Sequence, residues 1–183
     1  MRMSRKGTQV TTGKIRMSYV VLDKPRAVAE GQEPKFSMSI LISKSDKKTL
    51  KDVKDAIEEV KKAAVKDKWG GKMPANLRIP LRDGDEERPD DEVYAGHYFI
   101  NANAKTRPLI LDYDKQEVMD LSEVYSGCYG KVVINFYAYA APGNKGVGCG
   151  LLGVQKLADG EPLGGSRITA DAFDDDEDTS FLD

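Results

Sequence analysis

In KVVINFYAYA (131–140), Val132, Ile134 and Phe136 alternate as an apolar face, which leaves Lys131, Asn135, Tyr137 and Tyr139 pointing the other way. HYFINANAK (97–105) repeats the arrangement: Tyr98, Ile100 and Ala102 share one side, Phe99, Asn101, Asn103 and Lys105 the other. Rings, amides and cations on the non-core side of two strands suit unpaired nucleic acid. Flat rings stack on bases of any sequence, at about 1–3 kcal/mol per base, while Lys and Arg neutralise phosphates. Lys14, Arg16, Arg78, Arg82, Arg107 and Lys145 could line such a backbone track. The alternative is that the rings form a second core layer beneath a loop or helix.

A second constellation closes the chain. DAFDDDEDTSFLD holds seven carboxylates, including Asp174, Asp175, Asp176, Glu177 and Asp178, no Lys or Arg, and the apolar pair Phe181-Leu182. Residues 1–170 carry all 28 Lys and Arg, so the net charge of −2 divides into a body near +5 and a tail near −7. A cationic body joined to an anionic tail points to a polyanion-binding surface with its own competitor. Low apolar content and high charge predict disorder for the tail, and 13 flexible residues have an r.m.s. span of about 20 Å, enough to reach a groove on a small domain. Once displaced by phosphates, Phe181 and Leu182 would be free to dock in a basic, greasy pocket of another protein. A tail that only confers solubility is the blander reading.

Other chemistry is poorly supported. GCGLLG formally matches GxGxxG but lacks the βαβ unit, so a bulge, a tight bend or a close backbone approach explains Gly148, Gly150 and Gly153 better than dinucleotide binding. No phosphate loop GxxxxGK[ST] occurs. His97, the single histidine, stands without a GxSxG or catalytic-cysteine context. The pairs Asp112/Asp114 and Asp83/Asp85/Glu86 could hold Mg²⁺, which makes a Mg²⁺-dependent nuclease or a strand-annealing recombinase the rival reading; solvated turn acids are the simpler one. Cys128 and Cys149 lie in no CxxC or His-rich setting and read as reduced structural thiols. No cofactor is called for.

The elements that must position these groups follow from periodicity. GKIRMSYVVLD and KFSMSILIS alternate as strands, with Ile15, Met17, Tyr19 and Val21 expected on one face of the first and Phe36, Met38, Ile40 and Ile42 on one face of the second. From Ser45 or Asp46 the period changes: Leu50, Val53, Ile57, Val60 and Ala64 predict a helix to about Asp67, ending at Gly70-Gly71, with its Lys and acids on a solvated face and Trp69 packed at its end. NLRIPLRD, HYFINANAKT, RPLILDYD, KVVINFYAYA and VGCGLLGVQK complete the strands, and DGDEERPDDE reads as an exposed acidic loop. One long helix among six or seven strands, with no βαβα alternation, predicts a mainly β fold: an OB-type Greek-key barrel with an inserted helix and a disordered acidic tail. The expected division is a binding domain over 1–165 and a flexible tail over 166–183. The polar start and the lack of a long apolar run argue for a cytosolic protein and against secretion or membrane insertion.

Residues 124–165, with the strings SGCYG, INFYAY, NKGVGCGL and DGEPLGG, resemble a family of bacteriophage single-stranded-DNA-binding proteins, and the likeness extends over most of the chain. The resemblance implies an OB-fold body, cooperative or high-density coating of unpaired DNA in phage replication or recombination within the host cytoplasm, and no catalytic activity. It implies a DNA face that includes Lys131, Asn135, Tyr137 and Tyr139, a tail that recruits replication or recombination proteins, and leaves a homo-oligomer open. Here the aromatic is third from the end and Asp183 closes the chain, a departure from the terminal Phe of similar tails.

Overall fold

Strand β8 (Tyr129–Ala141) and strand β9 (Asn144–Ala158) form a long antiparallel hairpin around which the molecule is built. A computed structural model describes residues 4–27 and 29–163. In chain order the earlier elements are β1 (Arg5–Lys6), β2 (Gln9–Thr11), β3 (Ile15–Arg26), β4 (Lys35–Ser43), helix α1 (Lys47–Asp67), β5 (Arg82–Asp83), the one-turn helix α2 (Gly84–Glu87), β6 (His97–Ala104) and β7 (Leu109–Leu111), with a single 3-10 turn at Leu121–Glu123. Strands β8, β3, β4, β6 and β9 are hydrogen-bonded in that order, and the β8–β9 ladder closes the ring. Taken along the chain, the five ring strands stand first, second, third, fifth, fourth, a Greek-key closure of the OB type. The β6–β9 contact, at Asn103 and Gly150, is parallel; the other ring pairings are antiparallel.

Alternation fills the ring. Ile15, Met17, Met38, Ile40, Ile42, Ile100, Val132, Ile134, Phe136, Cys149 and Leu151 are all buried inside it. Each fully buried side chain of this size contributes about 1.5–3 kcal/mol of transfer free energy. The two cysteines are free and buried, and Cys128 Sγ lies 3.6 Å from Met17 Sδ.

Helix α1 lies between the second and third ring strands and closes the barrel with Leu50, Val53, Ala56, Ile57, Val60 and Ala64. Its start is set by Asp46, whose carboxylate accepts from the Thr49 backbone N–H at 3.2 Å. Gly70 and Gly71 adopt positive φ beyond its end, as the sequence predicts. Trp69 is buried there, and its indole Nε1 donates to the Tyr139 carbonyl at 3.2 Å. That bond ties the helix end to the strand carrying the tyrosines.

Two expectations need correction. NLRIPLRD forms a strand only at Arg82–Asp83; Arg78 makes an isolated bridge to Gly146 instead, because Pro80 supplies no N–H within the run. The acidic stretch DGDEERPDDE is exposed at most of its positions, as expected, but it is structured and not a free loop. It starts with α2, and residues 84–96 lie as a cap on the outer side of β3, β4 and β6, where Tyr94 is buried and donates to Ser18 Oγ and Ser39 Oγ at 3.2 and 3.3 Å. Lys44 fastens the cap, with Nζ 2.8 Å from Asp83 and 2.7 Å from Asp85, and Asp85 accepts in turn from the Gly96 N–H at 3.1 Å. No helix among the described residues is long and apolar enough to cross a membrane.

Candidate nucleic-acid interface

One register line crosses the outside of the barrel. Ser37 of β4 stands opposite Asn103 of β6, Asn103 opposite Gly150 of β9, Gly150 opposite Asn135 of β8, and Asn135 opposite Gln9 of β2. Paired residues share a face, so amides and a hydroxyl line up across four strands of the ring, a span of roughly 14 Å from β4 to β8 at the usual strand spacing. Asn135 is oriented by Thr8, whose Oγ1 donates to Asn135 Oδ1 at 2.8 Å.

Tyr137 and Tyr139 continue the β8 side of the line, each paired with a glycine of β9. A Cβ built on Gly148 would lie 2.6 Å from Tyr137 Cζ, and one on Gly146 2.6 Å from Tyr139 Oη. The glycine spacing therefore lets the two tyrosines lie down over the neighbouring strand, and at Gly148 this is the close approach anticipated for GCGLLG. The extra residue Leu152 also makes the anticipated bulge, since Val133 pairs with Gly153 and Ile134 with Leu151. Tyr137 remains 43% exposed, and partial burial raises its phenol pKa above the ordinary value. Arg78 and Lys145 are exposed beside Gly146, with the Arg78 N–H donating to the Lys145 carbonyl at 3.1 Å.

On the β6 side, Asn101 is exposed and Asn103 half-buried, and both line a cleft of about 630 Å³ between the β3–β4 arm and the cap. Lys35 and Arg26 border it. Lys105 is exposed near by, 3.5 Å from Glu33.

Other expected contact residues stand elsewhere or are already engaged. Phe99 does face away from the barrel interior, but it is buried: Leu41, Tyr94 and Phe99 form a small second core, with the Tyr94 and Phe99 rings edge to face at 5.1 Å. Period-two alternation gives the face of a residue and not what covers it. Arg82 is spent on Glu87, with Nε 2.9 and 3.0 Å from its two oxygens. Arg107 lies over Phe36 and donates to the carbonyls of Leu22 and Asp23, holding the β6–β7 loop to the β3 arm. Arg16 donates to the carbonyls of Gly127 and Glu161 at 3.1 and 2.8 Å and, with Lys14, rests on the Tyr129 ring. Lys131 is exposed at a separate hollow of about 530 Å³ that Leu109, Leu111 and Val133 share. The tail residues Asp174, Asp175, Asp176, Glu177, Asp178, Phe181 and Leu182 lie outside the described residues.

Sequence reasoning missed two groups at the cleft. Tyr19 is 62% exposed, although alternation placed it with Met17, because β3 carries a bulge between Ser18 and Val21 and Tyr19 has φ 46°. Arg88 reaches the same cleft from the cap, and its Nη1 donates to Tyr19 Oη at 3.3 Å. Nothing in the local sequence signals a positive φ at a tyrosine, whereas a lone Arg within an acidic segment was legible as an oddity.

The groups that the rival, hydrolytic reading would need are engaged otherwise. His97 Nδ1 is 2.8 Å from the Ala95 carbonyl, Asp83 and Asp85 hold Lys44, and Asp112 accepts from the N–H groups of Asp114 and Gln116 in a turn. No group of three or more metal-ligating side chains occurs among the described residues.

Comparison with known proteins adds to this geometry. The family model described as the ssDNA-binding protein of Enterobacter phage Enc34 matches residues 8–182. The putative protein p50 of Acyrthosiphon pisum secondary endosymbiont phage 1 is 31% identical over 178 residues, spanning 91% of this chain and 93% of that protein. The single-stranded DNA-binding protein of bacteriophage Enc34, solved in complex with ssDNA, superposes with a TM-score of 0.77 at 28% identity, covering 90% of this chain and 96% of that one. The single-stranded DNA-binding protein gp2.5 of bacteriophage T7, at 15% identity and a TM-score of 0.61, covers 92% and 96% and shares the fold.

Proposed function

The chain belongs to the Enc34 phage ssDNA-binding protein family, and from that premise we propose that it coats single-stranded DNA along the amide line and the tyrosine hairpin, without sequence readout. The observation that carries this is the continuous line Ser37–Asn103–Gly150–Asn135, with Tyr137 laid over Gly148 at its β8 side. Bases stack on rings whose other face rests on the sheet. Amides adapt to any base edge, and Arg78, Lys145, Lys35 and Lys105 neutralise phosphates. The remaining cations of the expected track, Lys14, Arg16, Arg82 and Arg107, serve chiefly as structural ties, and Lys131, expected on the β8 face, serves another surface.

The role is protection of unpaired strands during phage replication or recombination in the host cytoplasm, by a binder without catalytic activity. Residues 1–165 form the binding domain, and 166–183 act as an acidic tail that competes for the cleft and hands Phe181 and Leu182 to replication or recombination proteins once DNA displaces it. Support for the tail's role comes from the opposed charges of body and tail.

The test is titration of intrinsic Tyr/Trp fluorescence with oligothymidylate and with matched duplex at two salt concentrations. Quenching by the single strand alone, with log affinity falling by about 0.7 per neutralised phosphate for each decade of salt, is expected. Absence of any single-strand binding in dilute buffer defeats the reading, and cleavage of labelled DNA in Mg²⁺ would favour the nuclease.

A further inference from the structure

Tyr19 occupies a left-handed backbone conformation, φ 46°, that residues with a side chain rarely adopt and that persists only where the surroundings hold it. Val20 helps to hold it, its N–H donating to Ser126 Oγ at 3.0 Å. Such a bulge usually re-aims a side chain. Here it turns a ring out of the alternation and leaves it 62% exposed at the mouth of the cleft that Asn101 and Asn103 line. Glycine would take this φ without strain, yet the position carries a large aromatic side chain.

Across the mouth stands Arg88. The cap, residues 84–96, contains six carboxylates and this one Lys or Arg. The guanidinium sits 4.6 Å from the Tyr94 ring centroid and 5.4 Å from those of Phe99 and Tyr19. Among the described residues no carboxylate lies within ion-pair distance of it. A planar cation held by aromatic faces, with donors left over and Asp91 acting on it only from beyond ion-pair distance, is prepared for an external anion.

We propose that Tyr19 and Arg88 form a nucleotide subsite at the end of the cleft: one base stacks on the exposed face of Tyr19 while the free donors of Arg88 take an adjoining phosphate. Tyr19 belongs to the barrel and Arg88 to the cap, so a strand bound there adds a bridge between two segments already joined through the Arg88–Tyr19 hydrogen bond, Tyr94, the Lys44 ion pairs and the β5–β6 pairing. The subsite rests on the reading of the protein as a single-strand binder and extends it to a second aromatic anchor, remote in sequence from Tyr137 and Tyr139.

The experiment uses the full chain with an oligothymidylate containing 5-iodouracil, photo-crosslinked and mapped by mass spectrometry, alongside fluorescence titrations of Tyr19→Phe, Tyr19→Gly, Arg88→Lys, Arg88→Ala and Tyr137→Ala. Tyr19→Gly is expected to bind about tenfold more weakly, the loss of one stacked base, while folding without the left-handed strain. Tyr19→Phe should stay within about threefold of the wild type. Arg88→Ala should lower the salt slope by about 0.7, whereas Arg88→Lys keeps the slope and loses affinity. Crosslinks at Tyr19 support the subsite. If the wild type binds and Tyr137→Ala weakens binding, but Tyr19→Gly and Arg88→Ala bind as the wild type does and no crosslink maps to Tyr19, the subsite is overturned and the functional reading stands. If the wild type binds no single strand, both fall.

Discussion

Tyr137 packs over Gly148 so closely that a methyl group on the glycine would sit 2.6 Å from Cζ of the ring. The obstructed atoms are the far end of a side chain, so Gly148→Ala can be accommodated by swinging the ring away with little cost to the fold. Gly130, in β8, differs. A Cβ there would come within 2.1 Å of the Gln155 carbonyl oxygen, part of the β8–β9 ladder. Gly148→Ala is therefore expected to leave the melting temperature nearly unchanged while weakening single-strand binding by up to about 1–3 kcal/mol, the contribution of one stacked base. Gly130→Ala should instead unfold early. Thermal melts and titrations of the two variants check both; a Gly148→Ala protein that binds like the wild type would remove Tyr137 from the DNA face.

The cap should loosen in acid. Lys44 holds the carboxyls of Asp83 and Asp85 below their ordinary value of 3.8, chiefly through its hydrogen bonds to them, and the Gly96 N–H lowers Asp85 further. Groups with depressed folded values contribute stability that is complete above the unfolded value and is lost as pH falls through the folded one. Amide-exchange protection at Gly96 is expected to be flat above about pH 5 and to fall below about pH 3.8. In Lys44→Met the protection should already be lower at neutral pH. Equal protection in both proteins across this range would mean that Tyr94, the β5–β6 pairing and Arg88 seat the cap without the Lys44 ion pairs.

Removing residues 171–183 takes away seven carboxylates. The truncated chain is expected to bind oligothymidylate several-fold more tightly in dilute buffer. The two proteins should converge as salt screens the tail's charge, the Debye length in physiological salt being about 8 Å. Gel shifts over a salt series measure this, and truncation without effect at low salt would leave the tail as a solubility device.

Much of the architecture could be read from the residues. The change from period two to period 3.6 after Asp46 marks α1, its cap and its end, and the alternation in β4, β6 and β8 assigns their buried faces correctly. What was not legible concerns cover and diversion. Phe99 has the face it was given, but a segment that reads as solvated acid folds over it through Tyr94. Arg16 and Arg107 have the charge of phosphate ligands but the reach of tethers, and they satisfy backbone carbonyls instead. Tyr19 escaped because one residue inserted in a strand shifts every later side chain to the opposite face, and a bulge leaves no mark when its residue is not glycine.

The amide line runs over four strands of a ring that a fifth closes, so this platform cannot fold up or splay apart to suit its guest without breaking strand pairings. Ordering on association then falls almost wholly on the polynucleotide, and its own stiffness sets the ranking among homopolymers. Deoxyadenylate tracts, whose purines must first come unstacked, should be taken up less readily than thymidylate tracts of equal length, and the gap should narrow on warming as the free adenine stacks melt.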